Sequence, residues 1–301
     1  MPESAIALEL FLRWWNETHA RSFRIAEQSA SGAVAVENSD RLAIEVRPLL
    51  GATEQHEWNE AREQLENRIA AAVSVPLALW VPAGAELPAG EPATSEFIGH
   101  VREATIALGP HKRSCLPLPI TLFMRKNSDS GGVVSATGGL NPHWARFTER
   151  VLGTYDLDST RLHRLPESQE HLEALIDTIV ERASSLETGR IAEIETCDAW
   201  TVQRLGEGAG ISIVGVPTSE THDMGLTVRR NLRRIFGEAA PELREAEVDL
   251  KALVLLGYYA RMDEEGASIA MRGFSPSLYS GLDFVCLVAD GLVKPLIQTP
   301  T

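Results

Sequence analysis

An α/β fold of mixed α+β character is predicted for this 301-residue chain. Three observations predict it. Segments with apolar residues three to four positions apart, the period of a helix, alternate with short runs rich in Val, Ile and Leu that suit strands. Clusters of Asn, Asp, Gly and Pro separate these segments at short intervals. The chain is 44% hydrophobic and 23% charged, which is ordinary for a folded domain and excludes disorder throughout.

Ala5 to Thr18 reads as an amphipathic helix, with Leu8, Phe11, Leu12 and Trp15 on one stripe and Ser4 at the capping position. Three strands are expected next, at Ser22–Glu27, Ala33–Glu37 and Leu42–Val46, with Asn38-Ser39-Asp40 turning the second into the third. Glu57 to Val73 reads as a second helix, carrying Trp58, Leu65 and Ile69 on one side. Pro76 to Val81 is a short apolar strand, expected to return through a crossover and pair in parallel with the preceding three.

Pro82 to Ser95, rich in Pro, Gly and Ala, reads as a boundary. The expected division is a unit at 1–82, a linker at 83–96 and a β-rich α+β domain at 97–301. In that domain Phe97–Leu108 reads as a helix. Leu118–Lys126 and Val133–Thr137 read as a β-hairpin closed by a polar, glycine-containing turn. Pro166–Leu186 is a long amphipathic helix whose early acids suit its positive end. Ile191–Leu205 reads as a strand, and so does Ile211–Val216. Thr227–Gly237 is a helix, and Asp249–Arg261 is a core strand paired with Ser268–Arg272. Asp283–Val288 and Leu292–Gln298 form a hairpin around Asp290-Gly291.

On the third strand, Ala43-Ile44-Glu45-Val46-Arg47 places an acid two residues before a base. Residues i and i+2 of a strand share a face, so both point the same way. With the order helix, three strands, helix, strand over about residues 5–82, this resembles the restriction-endonuclease-like superfamily, the PD-(D/E)xK nucleases. The resemblance implies a metal-dependent cleft lined by a third-strand acid and lysine and a second-strand acid. Glu45 and Arg47 match the third-strand positions, and Glu37 and Asp40 are the nearest other acids. Gln64 on the second helix and Glu9 on the first fall where some members carry further site residues. Two departures stand out. Ser31-Gly32 occupies the expected second-strand acid position, and Arg47 stands in place of lysine. Arginine keeps its proton and cannot help to activate water, and an Mg²⁺ site normally wants two carboxylates.

The chain carries 28 basic and 42 acidic residues, net −14, and 24 of the acids lie after residue 150. That excess disfavours broad nucleic-acid or anionic-membrane binding, which needs clustered positive charge. Arg229, Arg230, Arg233 and Arg234 form the one concentrated basic stripe, a candidate binding surface whose simplest counterpart is the chain's own acidic helix at 167–187. Cys115, Cys197 and Cys286 are too few and too scattered for a disulfide framework or a zinc site. Asp156–Asp158, the trio Glu193, Glu195 and Asp198, the Gly138-Gly139 turn, and His143 and His163 read most simply as turns, solvated strand faces and packing histidines.

The expectation is a non-catalytic binding or assembly protein with a degenerate nuclease-like fold, no cofactor and no metal, and a protein partner or a second copy of itself. One alternative is a divergent Mg²⁺-dependent nuclease using Glu37, Asp40 and Glu45. Another is a self-associating structural or regulatory protein. The N-terminus lacks a basic, apolar leader and no long apolar run is present, so the expected location is the cytoplasm, away from membranes.

Overall fold

The computed structural model describes residues 2–49, 56–148, 150–166, 168–206, 210–217, 224–258 and 260–298. Among them the helices are α1 (Pro2–His19), α2 (His56–Ala72), α3 (Ala93–Ile106), α4 (Ala145–Thr148), α5 (Gln169–Ser185), α6 (Met224–Glu245) and α7 (Ala260–Met271). The strands are β1 (Arg24–Gln28), β2 (Gly32–Glu37), β3 (Asp40–Pro48), β4 (Leu77–Trp80), β5 (Arg113–Ser128), β6 (Gly132–Gly138), β7 (Gly153–Ser159), β8 (Ile191–Arg204), β9 (Ile211–Val214), β10 (Leu250–Leu256), β11 (Phe284–Ala289) and β12 (Leu292–Gln298). They form two mixed six-stranded sheets, so the fold is α/β mixed, with an N-terminal helix leading into strands. No described helix is long and apolar enough to cross a membrane.

Two compact units divide the chain. One comprises Met1–Ala83, Ala107–Arg113 and Thr201–Thr301; the other comprises Gly84–Ile106 and Ser114–Trp200. This differs from the expected partition at 82, 96 and 301. The reason is β10, which returns from beyond residue 249 to pair with β3 and ties the two ends of the chain into one unit.

In the first unit β1, β2 and β3 form an antiparallel meander. Asn38, at the turn, adopts the left-handed conformation (φ 54°) that its short polar side chain tolerates. The far edge of β3 pairs in parallel with β10 from Leu42↔Leu250 to Pro48↔Leu256. β11 then pairs in parallel with β10, and β12 closes the sheet as a hairpin. β4 therefore does not join the meander, contrary to expectation. It pairs in parallel with β9 and antiparallel with Thr201–Arg204 of β8. A four-residue strand cannot cover the long edge that β3 offers, whereas the seven-residue β10 can. Residues 268–272, expected as a strand, belong to the end of α7 and the turn after it. Two parallel neighbours, β10 and β11, require a crossover, and α7 supplies it. Phe11, Leu42, Ile44, Phe236, Leu253 and Val285 lie in one buried cluster.

In the second unit α5 starts at Ser168, whose hydroxyl accepts the His171 N–H at 3.1 Å. Leu172, Ile176 and Ile179 share a buried cluster with Leu122, Met124, Leu157 and Ile194. The hairpin expected from β5 and β6 is replaced by a three-strand arrangement. β7 lies between them, antiparallel to β5 and parallel to β6. Gly153 (φ 118°) makes the insertion possible: a Cβ there would stand 2.6 Å from the Ser128 carbonyl oxygen.

Candidate functional sites: the Glu45–Arg47 pair and the His163–Asp198 cleft

Glu45 and Arg47 share a face of β3. Arg47 Nη2 lies 2.8 Å from Glu45 Oε1 and 3.2 Å from Glu242 Oε2 of α6, bridging the two carboxylates. Burial pushes the Glu45 carboxyl above its ordinary range, against the pull of the Arg47 charge and the Ser31 hydroxyl. Across the ladder Glu45 faces Gly32. A Cβ at Gly32 would stand 2.3 Å from the Ile44 carbonyl oxygen and 2.9 Å from Glu45 Oε2. Of Ser31-Gly32, where the resemblance expects a second-strand acid, Gly32 thus has no room for a side chain, and Ser31 offers a hydroxyl in place of a carboxylate.

Glu37 and Asp40 pair with each other at the opposite end of the same ladder. Five residues along a strand separate Asp40 from Glu45, about 16 Å. There the Arg21 guanidinium binds both Glu37 and Asp40. Glu37 also accepts the Ser22 hydroxyl at 2.6 Å, and these donors hold its carboxyl below its ordinary range. Glu9 accepts the Gly206 N–H at 2.9 Å, and Gln64 is exposed on α2, which packs on β9. The structure therefore joins Glu45 to Arg47 and places Glu37 and Asp40 elsewhere. Among the described residues no group of three or more His, Cys, Asp or Glu is arranged to hold a metal ion.

The basic stripe on α6 is used within its own unit. The Arg229 and Arg233 guanidinium groups lie 5.8 and 5.6 Å from the Phe274 ring centre, and Arg234 pairs with Glu238 at 3.0 Å. Arg230 is exposed. The acids of α5, expected as their counterpart, have other partners: Arg146 pairs with Glu173 at 2.7 Å and Arg150 with Asp177 at 2.5 Å. Asp156 accepts from Asn127, and Asp158 from Thr160. Glu193 and Glu195 are exposed, whereas Asp198 is buried on the other side of β8, so the trio does not converge.

Asp198 instead organises a cleft in the second unit. It is 3% exposed. Its Oδ1 accepts the backbone N–H groups of His163 (3.0 Å) and Arg164 (2.8 Å), and its Oδ2 accepts the Trp200 indole N–H at 3.0 Å. His163 Nδ1 lies 3.2 Å from the same Oδ2. With Nδ1–H donated to Asp198, the neutral ring carries its lone pair on Nε2. His163 and Asp198 line a cavity of about 610 Å³ whose walls come from residues 84–88, α3, β5, the segment after β7 and the second half of β8. Phe97 and Trp200 meet edge to face on it, ring centres 5.5 Å apart. From the sequence alone His163 reads as a packing residue. One signal was present: Asp198 falls in phase with Ile194 and Trp200, the buried side of an alternating strand, where a carboxylate needs a reason.

No family model, curated protein or solved structure matches this chain.

Proposed function

We propose that this chain is a non-catalytic binding protein built on a degenerate nuclease-like sheet. The carrying observation is Gly32. With the Ile44 carbonyl oxygen 2.3 Å from where its Cβ would be, no carboxylate can stand opposite Glu45 on β2. Glu45 is left with a permanent cation, Arg47, as its near neighbour, and a guanidinium in that place repels a divalent ion. The element order fits the same reading once the chain between β3 and α6 is treated as an insertion: α1, then β1, β2 and β3, then α6 and the parallel strand β10.

Calorimetric titration of the full chain with Mg²⁺ and with Mn²⁺ tests this, beside a cleavage screen on single- and double-stranded DNA and RNA. The expected result is no saturable heat and no cleavage. Mn²⁺-dependent cleavage that disappears in Glu45→Gln would overturn the proposal in favour of a divergent nuclease.

A further inference from the structure

We infer that the His163–Asp198 cleft of the second unit is a binding site for a small organic ammonium ion. Its volume of about 610 Å³ lies in the range of cavities that enclose metabolite-sized ligands. The chemistry of its lining is one-sided. Glu86, Glu96 and Asp198 bring three carboxylates, against one guanidinium, Arg161, and two imidazoles, His100 and His163. Arg161 also acts on Asp158, whose carboxyl its charge helps to hold down. Among the described residues, neither Glu86 nor Glu96 has an ion pair or a side-chain hydrogen bond within the chain. Two unmatched carboxylates at the wall of one cavity raise the local concentration of cations.

The floor supplies what turns a cation preference into a site. His163 is fixed through Nδ1 by a carboxylate that also takes three other N–H donors, so its ring cannot swing freely. With Nδ1–H given to Asp198 and the ring neutral, Nε2 is an acceptor, and an ammonium group is a donor only. Phe97, Trp200, Pro119 and Ile120 give the hydrocarbon body of such a ligand an apolar and aromatic surface. A bare divalent metal is poorly matched, since the lining forms no cluster able to ligate one. An anion would meet the unmatched Glu86 and Glu96.

The test uses the full chain and benzylamine, with benzyl alcohol and benzoate as neutral and anionic analogues of similar shape. Calorimetry should show saturable binding of benzylamine and at least about tenfold weaker binding of the other two. The double variant Glu86→Gln/Glu96→Gln alters exposed, unmatched side chains and keeps the fold, and it should weaken benzylamine about tenfold. His163→Gln should weaken it also, whereas Glu45→Gln, in the other unit, should not. Long-range ¹H–¹⁵N NMR of the imidazole should show the Nε2 resonance moving on saturation while Nδ1 stays bonded to Asp198. Three results would each overturn the inference: no benzylamine binding in the millimolar range, benzoate binding as tightly as benzylamine, or amine binding indifferent to both cleft variants. Failure here leaves the metal-free reading of β3 standing, because the two rest on separate residues and separate titrations.

Discussion

Replacing Asp198 by alanine strands four donors at once: the His163 and Arg164 backbone N–H groups, the Trp200 indole N–H and His163 Nδ1. The His163 ring is 24% exposed and lines the cavity, so water can reach that ring. Water that enters the emptied volume can also serve one backbone donor. The Arg164 N–H and the Trp200 indole remain, on residues that are 1% and 4% exposed. A buried donor without an acceptor costs about 1–3 kcal/mol. The loss should therefore be about 2–6 kcal/mol for Asp198→Ala. Asp198→Asn keeps one oxygen for the two backbone groups but turns an amide NH₂ toward the indole N–H, for about 1–3 kcal/mol. Urea unfolding of both variants gives the total. Because the chain has two units, amide exchange at His163 and Arg164 gives the local part. Exchange at these two amides should accelerate in Asp198→Ala and much less in Asp198→Asn. A loss under about 0.5 kcal/mol for Asp198→Ala, the level of an ordinary surface change, would refute the idea that this carboxylate organises the cleft.

Gly32→Ala drives a methyl group against the Ile44 carbonyl oxygen and should cost about 3 kcal/mol or more, read as a lowered unfolding midpoint. Glu45→Ala leaves Arg47 with Glu242 as its remaining partner, so a loss of about 1–2 kcal/mol is expected, with no change in any cleavage assay. Glu37 has a lowered carboxyl pKa in the fold, so its contribution is fully present above its ordinary value of 4.5 and is lost as pH falls through the lower folded value. Glu37→Gln should accordingly be less stable than the parent at pH 7 and indistinguishable from it in acid below that folded value. Cys115 and Cys197 are exposed, and Cys286 is buried with its thiol pKa pushed up, so a thiol reagent should titrate two groups in the native chain and the third only on unfolding.

What the sequence makes legible is local. Helical spacing from Leu8 to Trp15 located α1, alternation around Val34 and Val36 located β2, and Asp290-Gly291 located the last hairpin turn. The Glu45–Arg47 pair was also legible, because two residues on one strand face need no tertiary information. Partner choice was not. Nothing in Leu77–Trp80 says whether it lies beside β3 or β9, since an apolar run buried on both faces looks alike in either place. Ala260–Met271 follows the core strand so closely that its small buried residues, Ala267 and Ala270, continue the apolar run and hide the change of period. His163 and Asp198 lie 35 positions apart, and only the return of β8 past the end of β7 brings the imidazole to the acid.

The parallel pairing of β3 with β10 also sets a schedule. Arg41 donates its N–H to Asp249 across 208 positions of sequence. At about 5–20 residues per second, a ribosome takes about 10–40 s to cover that interval. Throughout it the nascent meander has an open hydrogen-bonding edge along Leu42–Val46, next to the apolar Ile44 and Val46. The residues between Ser114 and Trp200 have by then all emerged and need nothing from β10 to pair β5, β6 and β7 and to add the α5 layer. The order of pairing thus differs from the order of synthesis: the strands of the inserted unit have their partners available first, and β3, among the oldest segments of the chain, must wait for β10. Such non-local pairing is slow, and an edge left waiting is where a chaperone, or another unfinished copy, would attach.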